Sequence, residues 1–244
     1  MTVPAKLFQQ WLTAVAGATS HAAVCRAAGI KRSTLAQQLV RGRVSLGTVA
    51  AVSRSLELPV VQSLATFPAF ADLSQGIKAP GHAELLSQIS DVDLLTEILN
   101  RNLASEQGRS PDPVTLTSAP HRSSVRSWID AIDATDLRQK LAREAAIAPQ
   151  NLSAQISANR LNPELAIEGA RIAQVGLTNG LVATGFLTPL EAGWDPEARA
   201  AALRVTPNSV LASLAAHRLE AVSRILRRAE EDSQAAQSVW ENLG

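Results

Sequence analysis

The sequence predicts an all-α protein, and three observations lead there. Of the 244 residues, 46% are apolar but only 3% are aromatic, and none is tyrosine. The chain is rich in Ala, Leu and Gln, which favour helix over sheet. No long run alternates β-branched with polar residues. Apolar residues instead recur three and four apart between Ser, Gly and Pro breakers, the helical period.

A first helix is expected over residues 5–16, where Leu7, Phe8, Trp11, Leu12 and Val15 share one face. Ser20 is placed to cap a second over 21–28, which Gly29 ends. Ser33 is placed to cap a third over 34–41, stopped at Gly42. Ser45 precedes a fourth, with Leu46, Val49, Val52 and Leu56 inward, and Pro59 opens a fifth that runs to about Thr66. Val24 and Cys25 lie five and four residues before Gly29, Ile30 follows it, and Leu35 and Leu39 stand one turn apart. This is helix-turn-helix spacing. Small Cys25 permits close approach, Gly29 takes the positive φ of the turn, and Ile30 fills the angle between the helices.

The second half repeats the first. A shift of 117 residues aligns 11–73 with 128–190 without a gap. Trp11 falls on Trp128, Val24 on Leu141, Ile30 on Ile147, Leu35 on Leu152, Gln38 on Gln155, Arg43 on Arg160, Arg54 on Arg171 and Leu73 on Leu190. Only 11 of the 63 pairs are identical, so the reading rests on apolar type matching at constant register. More helix follows each core, and 93–99 resembles 209–215 in spacing, as if the unit spans about 100 residues. The Pro-, Ser- and Gly-rich stretch between reads as a semi-flexible linker. The expected organisation is a helix-turn-helix domain over 1–106, a linker over 107–120, and a second helix-turn-helix-like domain over 121–244 with a long C-terminal helix.

Net charge is +1, yet residues 1–56 contain no Asp or Glu while carrying Lys6, Arg26, Lys31, Arg32, Arg41, Arg43 and Arg54. A one-sign block on a folded segment points to a polyanion partner. Other classes lack their signatures. The single Cys25 forms no internal disulfide and no metal-binding pair, and reads as a small packing residue. "MTVPAKLFQQW" lacks a signal-peptide core, and no run of about 18 apolar residues suggests a membrane span. No nucleophile–base pairing, phosphate loop or metal cluster is found, so neither an enzyme nor a cofactor is expected. His21 and His217 are assigned no chemistry, and Trp11 and Trp128 are read as core. A cytoplasmic protein is expected, nucleoid-associated when bound to DNA.

A helix-turn-helix lays its second helix in the major groove of double-stranded DNA. With Leu35 and Leu39 inward, Thr34, Gln37, Gln38 and Arg41 face out, led by Lys31, Arg32 and Ser33. Gln can bond adenine twice, and Arg can do the same to guanine. Ser20, Ser33 and Ser45 stand at helix starts that favour phosphate, with Arg43 and Arg54 expected near the DNA backbone. The second copy offers Gln150, Asn151 and Gln155 as readers and Asn159 and Arg160 for phosphate, with six cations against six carboxylates over 126–171.

"CRAAGIKRSTLAQQLVRGRVSLGTVAAVSRSLELPVVQSLA" resembles the Cro/repressor-type helix-turn-helix family. "ARIAQVGLTNGLVATGFLTPLEAG" is similar to the segment that follows the motif in immunity repressors of actinobacterial phages. The resemblance covers roughly 5–73 and 122–193. It implies a sequence-specific DNA-binding transcriptional repressor of the phage-immunity, lysogeny-maintaining kind, with Lys31 to Gln38 in the recognition role. Two unlike readers on one chain predict an asymmetric site, the linker letting the second search near the first. The alternative is that only the first unit binds DNA and the second is a protein-interaction or dimerisation module. The stretch 208–238, with Val210, Leu211, Leu214, Leu219, Val222, Ile225 and Leu226, is the candidate surface for self-association.

Overall fold

The computed structural model describes residues 2–17, 19–75 and 78–241, with side chains through 234. The protein is all-α, as the composition predicts. The helices are α1 (Ala5–Ala16), α2 (His21–Ala27), α3 (Arg32–Val40), α4 (Leu46–Ser55) and α5 (Val60–Ala65). A 3₁₀ segment (Pro68–Ser74) precedes α6 (His82–Ser87) and α7 (Asp91–Glu106). Then come α8 (Ser124–Ile132), α9 (Leu137–Glu144), α10 (Pro149–Ser157), α11 (Pro163–Ala173), α12 (Asn179–Ala183), α13 (Ala198–Val205) and α14 (Asn208–Glu241). A short antiparallel ladder pairs β1 (Val3–Pro4) with β2 (Arg43–Val44), setting Val3 opposite Val44. Two residues per strand leave no periodicity to read, so this ladder has no signal in the sequence. No described helix is long and apolar enough to cross a membrane.

The repeat is visible in the backbone. Adding 117 to the bounds of α3 gives 149–157, the span of α10. Positive φ recurs at the same offset: 66° at Gly29 and 51° at Ala146, 72° at Gly42 and 54° at Asn159, 56° at Glu57 and 57° at Gln174. Three left-handed turns in register, two of them held by side chains that resist that conformation, reflect a shared chain path. Equivalent side chains are buried as pairs: Trp11 with Trp128, Leu12 with Ile129, Val24 with Leu141, Leu35 with Leu152, Leu64 with Leu181. The match ends at Leu73 and Leu190, which are 2% and 74% exposed. There the second copy buries Ala192 and Trp194 instead.

Packing groups the chain differently from the division expected at 107–120. One compact unit holds residues 1–88 and 119–198, the other 89–118 and 199–244, so each copy contributes to both. Reciprocal contacts between the copies account for this. In the first unit Arg54 donates to Phe186 O at 2.7 Å and Arg171 to Ala69 O at 3.4 Å, and both members of each pair differ by 117. Arg54 also pairs with Glu191, and Arg171 with Asp72, each at 2.7 Å. In the second unit Arg101 donates to Thr206 O at 2.6 Å and Arg218 to Ile89 O at 2.7 Å. Arg101 reaches Asn208 Oδ1 at 3.1 Å and Arg218 reaches Asp91 Oδ1 at 3.4 Å, again offset by 117. Contacts of the form i to j and j to i mark isologous pairing, the two-fold arrangement of a homodimer. The duplicated unit therefore extends from about residue 5 to 106 and from 122 to 223, and the copies pair as two subunits would.

In the first unit the copies share one core. Ile167, Leu181, Val182, Leu187 and Trp194 of the second copy join Phe8, Trp11, Val49, Leu64 and Phe70 of the first. A second cluster surrounds Trp128, Ile129, Leu141, Leu152 and Ala166. Between them runs a buried polar chain. Trp128 Nε1 and Asn179 Nδ2 both donate to the Glu84 carboxylate at 3.1 Å, and Trp194 Nε1 donates to Asn179 Oδ1 at 2.9 Å. The stretch 107–120 is not a free tether. Thr117 donates its N–H and hydroxyl to Asp93 Oδ2 at 3.1 and 2.8 Å, and Asn100 Nδ2 donates to Asp112 O. The linker expectation is corrected on this point: Pro and Ser suggested flexibility, but α7 supplies polar partners for the segment.

Candidate nucleic-acid interface

The site grows from the turn between α2 and α3. Ser20 Oγ accepts from Ala23 N at 3.3 Å and caps α2. Val24 and Cys25 are buried, and Ile30 N returns to Cys25 O at 2.9 Å over Gly29. This close return starts α3 at Arg32, two residues before the expected start. Lys31 is the cap residue and makes no side-chain cap bond. Ser33 lies inside the first turn, exposed, and does not cap, which corrects its expected role. Leu35 is buried and Leu39 half-buried, so Ser33, Thr34, Ala36, Gln37, Val40 and Arg41 remain exposed.

This face is unopposed electrostatically. Among the described residues, no side chain from 2 to 53 takes part in an ion pair. Lys31, Arg32, Arg41 and Arg43 are all exposed. The uncapped N–H groups of the first turn of α3 add the positive end of the helix dipole beside Lys31 and Arg32. Arg43 is held on a fixed backbone, since Ala5 N bonds Gly42 O at 3.0 Å and Pro4 lies opposite Arg43 in the ladder. An exposed, acid-free surface around a helix start can take an anionic chain, with the adjacent polar face left to contact its bases.

Several expected contacts are otherwise engaged. Gln38 is half-buried, and its Oε1 accepts from Ser45 N and from Thr48 Oγ1, both at 3.0 Å. Bidentate adenine recognition needs that oxygen free. Gln38 therefore ties the end of α3 to the start of α4. Ser45 Oγ accepts from Thr48 N at 3.2 Å and is half-buried, a working cap rather than an open phosphate position. Arg54 does not face a DNA backbone but closes the reciprocal contact with Glu191 and Phe186. Nothing in the types of these residues distinguishes reader from brace. The repeat keeps both braces, since Gln38 aligns with Gln155 and Arg54 with Arg171, but it also keeps the exposed Arg43 as Arg160.

The second copy follows suit. Gln155 Oε1 accepts from Asn162 N at 3.3 Å, the counterpart of the Gln38 bond. Asn159 accepts from Val125 N at 2.8 Å and donates to His121 O at 3.1 Å, so its amide braces α8 and is not available to phosphate. Gln150, Asn151 and Arg160 are exposed, and α10 also begins without a side-chain cap. The surrounding cations are paired, Arg138 with Asp130, Lys140 with Asp136 and Arg143 with Glu144. Val40, 88% exposed beside Arg41, is an outward apolar position that the spacing of Leu35 and Leu39 did not single out.

No protein-family model, curated protein or solved structure matches the chain.

Proposed function

We propose that the chain is a sequence-specific double-stranded DNA-binding transcriptional repressor of the phage-immunity type, acting in the cytoplasm on the nucleoid. In this reading α2 and α3 form a helix-turn-helix and α3 enters the major groove. Thr34 and Gln37 contact base edges, and Ser33, Lys31, Arg32, Arg41 and Arg43 meet phosphates or flanking bases. One observation carries it: four exposed, unpaired cations surround an uncapped helix start whose outward face is polar. Coulomb repulsion among them is uncompensated within the chain, and a phosphate backbone relieves it.

The second copy contributes differently. Its cations are spent on neighbouring carboxylates, which leaves Gln150, Asn151 and Arg160 as a polar, nearly neutral face. It is proposed as a weaker reader, held at a fixed spacing by the core it shares with the first copy. A linker search is not needed. The site is then two unlike halves at one spacing, occupied by one chain. The test is titration of the full chain onto duplexes selected from a random pool, followed by footprinting and stoichiometry over a salt series. Saturable binding of one chain to an asymmetric footprint is expected. Absence of duplex binding at moderate salt refutes the function, and an unchanged footprint after Asn151→Ala with Arg160→Ala removes the second copy from the interface.

A further inference from the structure

The outward face of α3 is divided along its length. At about 100° per residue, Ser33 and Gln37 lie near its centre, Thr34 and Arg41 border it on one side, and Ala36 and Val40 border it on the other. All six are exposed, so the apolar border is not core. Val40, at 88%, is the most exposed large apolar side chain among the described residues. The fold does not require apolar groups there. Ser153 and Ser157 hold the same register in α10, and both are exposed. Val40 is also fixed in place. Arg41 N bonds Gln37 O and Gly42 N bonds Leu39 O, both at 3.0 Å, so the last turn of α3 is closed. A β-branched side chain in that turn keeps one preferred rotamer.

We infer that Val40, with Ala36 beside it, packs against the C5-methyl group of a thymine and sets the base preference at that position. The neighbouring charges select the occupant. Lys31, Arg32, Arg41 and Arg43 are exposed, and among the described residues no ion pair engages them, so a polyanion matches this face. One valine and one alanine are too little apolar area to anchor a protein, whose interfaces bury about 800 Å² a side, but they match a single methyl. In the major groove of DNA the thymine methyl is the apolar feature among hydrogen-bond donors and acceptors. Duplex RNA has a major groove too deep and narrow for side chains to read. Val40 stands three residues beyond Gln37, about 4.5 Å along the helix axis, so the thymine lies one or two base pairs from the pair that Gln37 reads. In α10 hydroxyls replace the apolar border, so the preference belongs to one half-site only. The inference rests on the proposed duplex binding and deepens it by naming a base group that is read.

The experiment is anisotropy titration of the full chain onto the duplex selected from a random pool, and onto copies in which thymines are replaced singly by deoxyuridine, which removes the methyl and nothing else. At one position uracil should weaken wild-type binding about fourfold, as expected for one buried methyl. Val40→Ser, which installs the side chain found at this register in α10, should weaken binding to the thymine duplex by a similar factor, with no further loss on the uracil duplex. Val40 is exposed, so the melting temperature of the variant and its sedimentation without DNA should match wild type. Saturable wild-type binding that no uracil weakens, or a Val40→Ser variant that keeps every uracil penalty, overturns the inference and leaves duplex binding standing. Altered sedimentation of the variant assigns Val40 to a protein contact and overturns it too. Absence of wild-type duplex binding overturns the inference together with the function on which it rests.

Discussion

Gln37 and Gln38 are neighbours of one residue type, but Gln38 braces α4 while Gln37 is exposed, and the proposed function makes only Gln37 a reader. Replacing Gln38 by Ala removes the acceptor of two bonds, from Ser45 N and Thr48 Oγ1, each 3.0 Å long. Thr48 keeps a partner in Ser45 Oγ at 3.1 Å, but the Ser45 N–H loses its own in a half-buried position. At about 1 kcal/mol per neutral bond, Gln38→Ala should destabilise by about 1–2 kcal/mol. For a chain of this size that lowers the melting temperature by about 3–6 °C. Gln38→Glu retains an acceptor and should recover most of the stability, while its negative charge beside the proposed groove face weakens duplex binding. Gln37 is exposed, and its side chain makes no hydrogen bond in the structure. Gln37→Ala should leave stability within about 0.5 kcal/mol and cost about 1–3 kcal/mol on the selected duplex, less on others. The assays are thermal unfolding by circular dichroism and duplex titration by fluorescence anisotropy. If Gln38→Ala melts with wild type yet loses discrimination, and Gln37→Ala is silent in both, the division of labour is wrong.

Ala146 occupies the left-handed position that Gly29 holds in the first copy, so Ala146→Gly should stabilise by about 1 kcal/mol and Gly29→Ala should destabilise similarly, both read by urea unfolding. Arg41→Ala should weaken binding to all duplexes and reduce the slope of log affinity against log salt by about one unit; an unchanged slope removes Arg41 from the phosphates. Hydrogen bonding from Arg54 holds the Glu191 carboxyl below its ordinary range, and Arg171 does the same to Asp72. A lowered carboxyl stabilises fully above its unfolded value and loses that contribution as pH falls through the folded value. Arg54→Met with Arg171→Met should therefore lower stability at neutral pH, modestly because these groups are partly solvated, and the deficit should shrink steadily as pH falls below about 4. A deficit that persists in acid means that the arginines act through packing instead.

The sequence revealed more of the fold than of the site. Apolar period and breakers located α1 and α2 closely because Leu7, Phe8, Trp11 and Leu12 report one face directly. They misplaced the start of α3 by two residues because Ser33 carries a capping signal that the tight turn at Gly29 makes redundant. The repeat was legible through residue 73 from apolar type. Its continuation was legible as the likeness of 93–99 to 209–215, but the reciprocal contacts of Arg101 and Arg218 were not, because their acceptors are largely backbone carbonyls that leave little trace in sequence. The same blindness affected the site. Lys31, Arg32 and Arg41 were singled out because unopposed charge is a property of composition, and the structure leaves all three exposed. Gln38, Arg54 and Asn159 were misassigned because a polar side chain is equally suited to a base edge and to a neighbouring backbone amide.

Duplication explains how both kinds of residue coexist. A homodimer must keep its brace and its reader identical in both subunits, since one gene encodes them. Once two copies are fused, the bracing positions stay tied by reciprocal contact: Arg54 and Arg171 each need a carbonyl supplied by the other copy, as do Arg101 and Arg218. Outward positions carry no such tie. Lys31, Arg32, Gln37 and Arg41 face Ala148, Pro149, Ala154 and Ala158 at the same register, so a cationic surface stands opposite a small and neutral one. Among the matched polar residues, Gln38 and Gln155 are identical and braced, whereas Thr34 and Asn151 differ and are exposed. For these two pairs identity goes with bracing and divergence with exposure, whereas Arg43 and Arg160 are identical and both exposed. On a two-fold scaffold that divergence makes the halves of any bound site unequal.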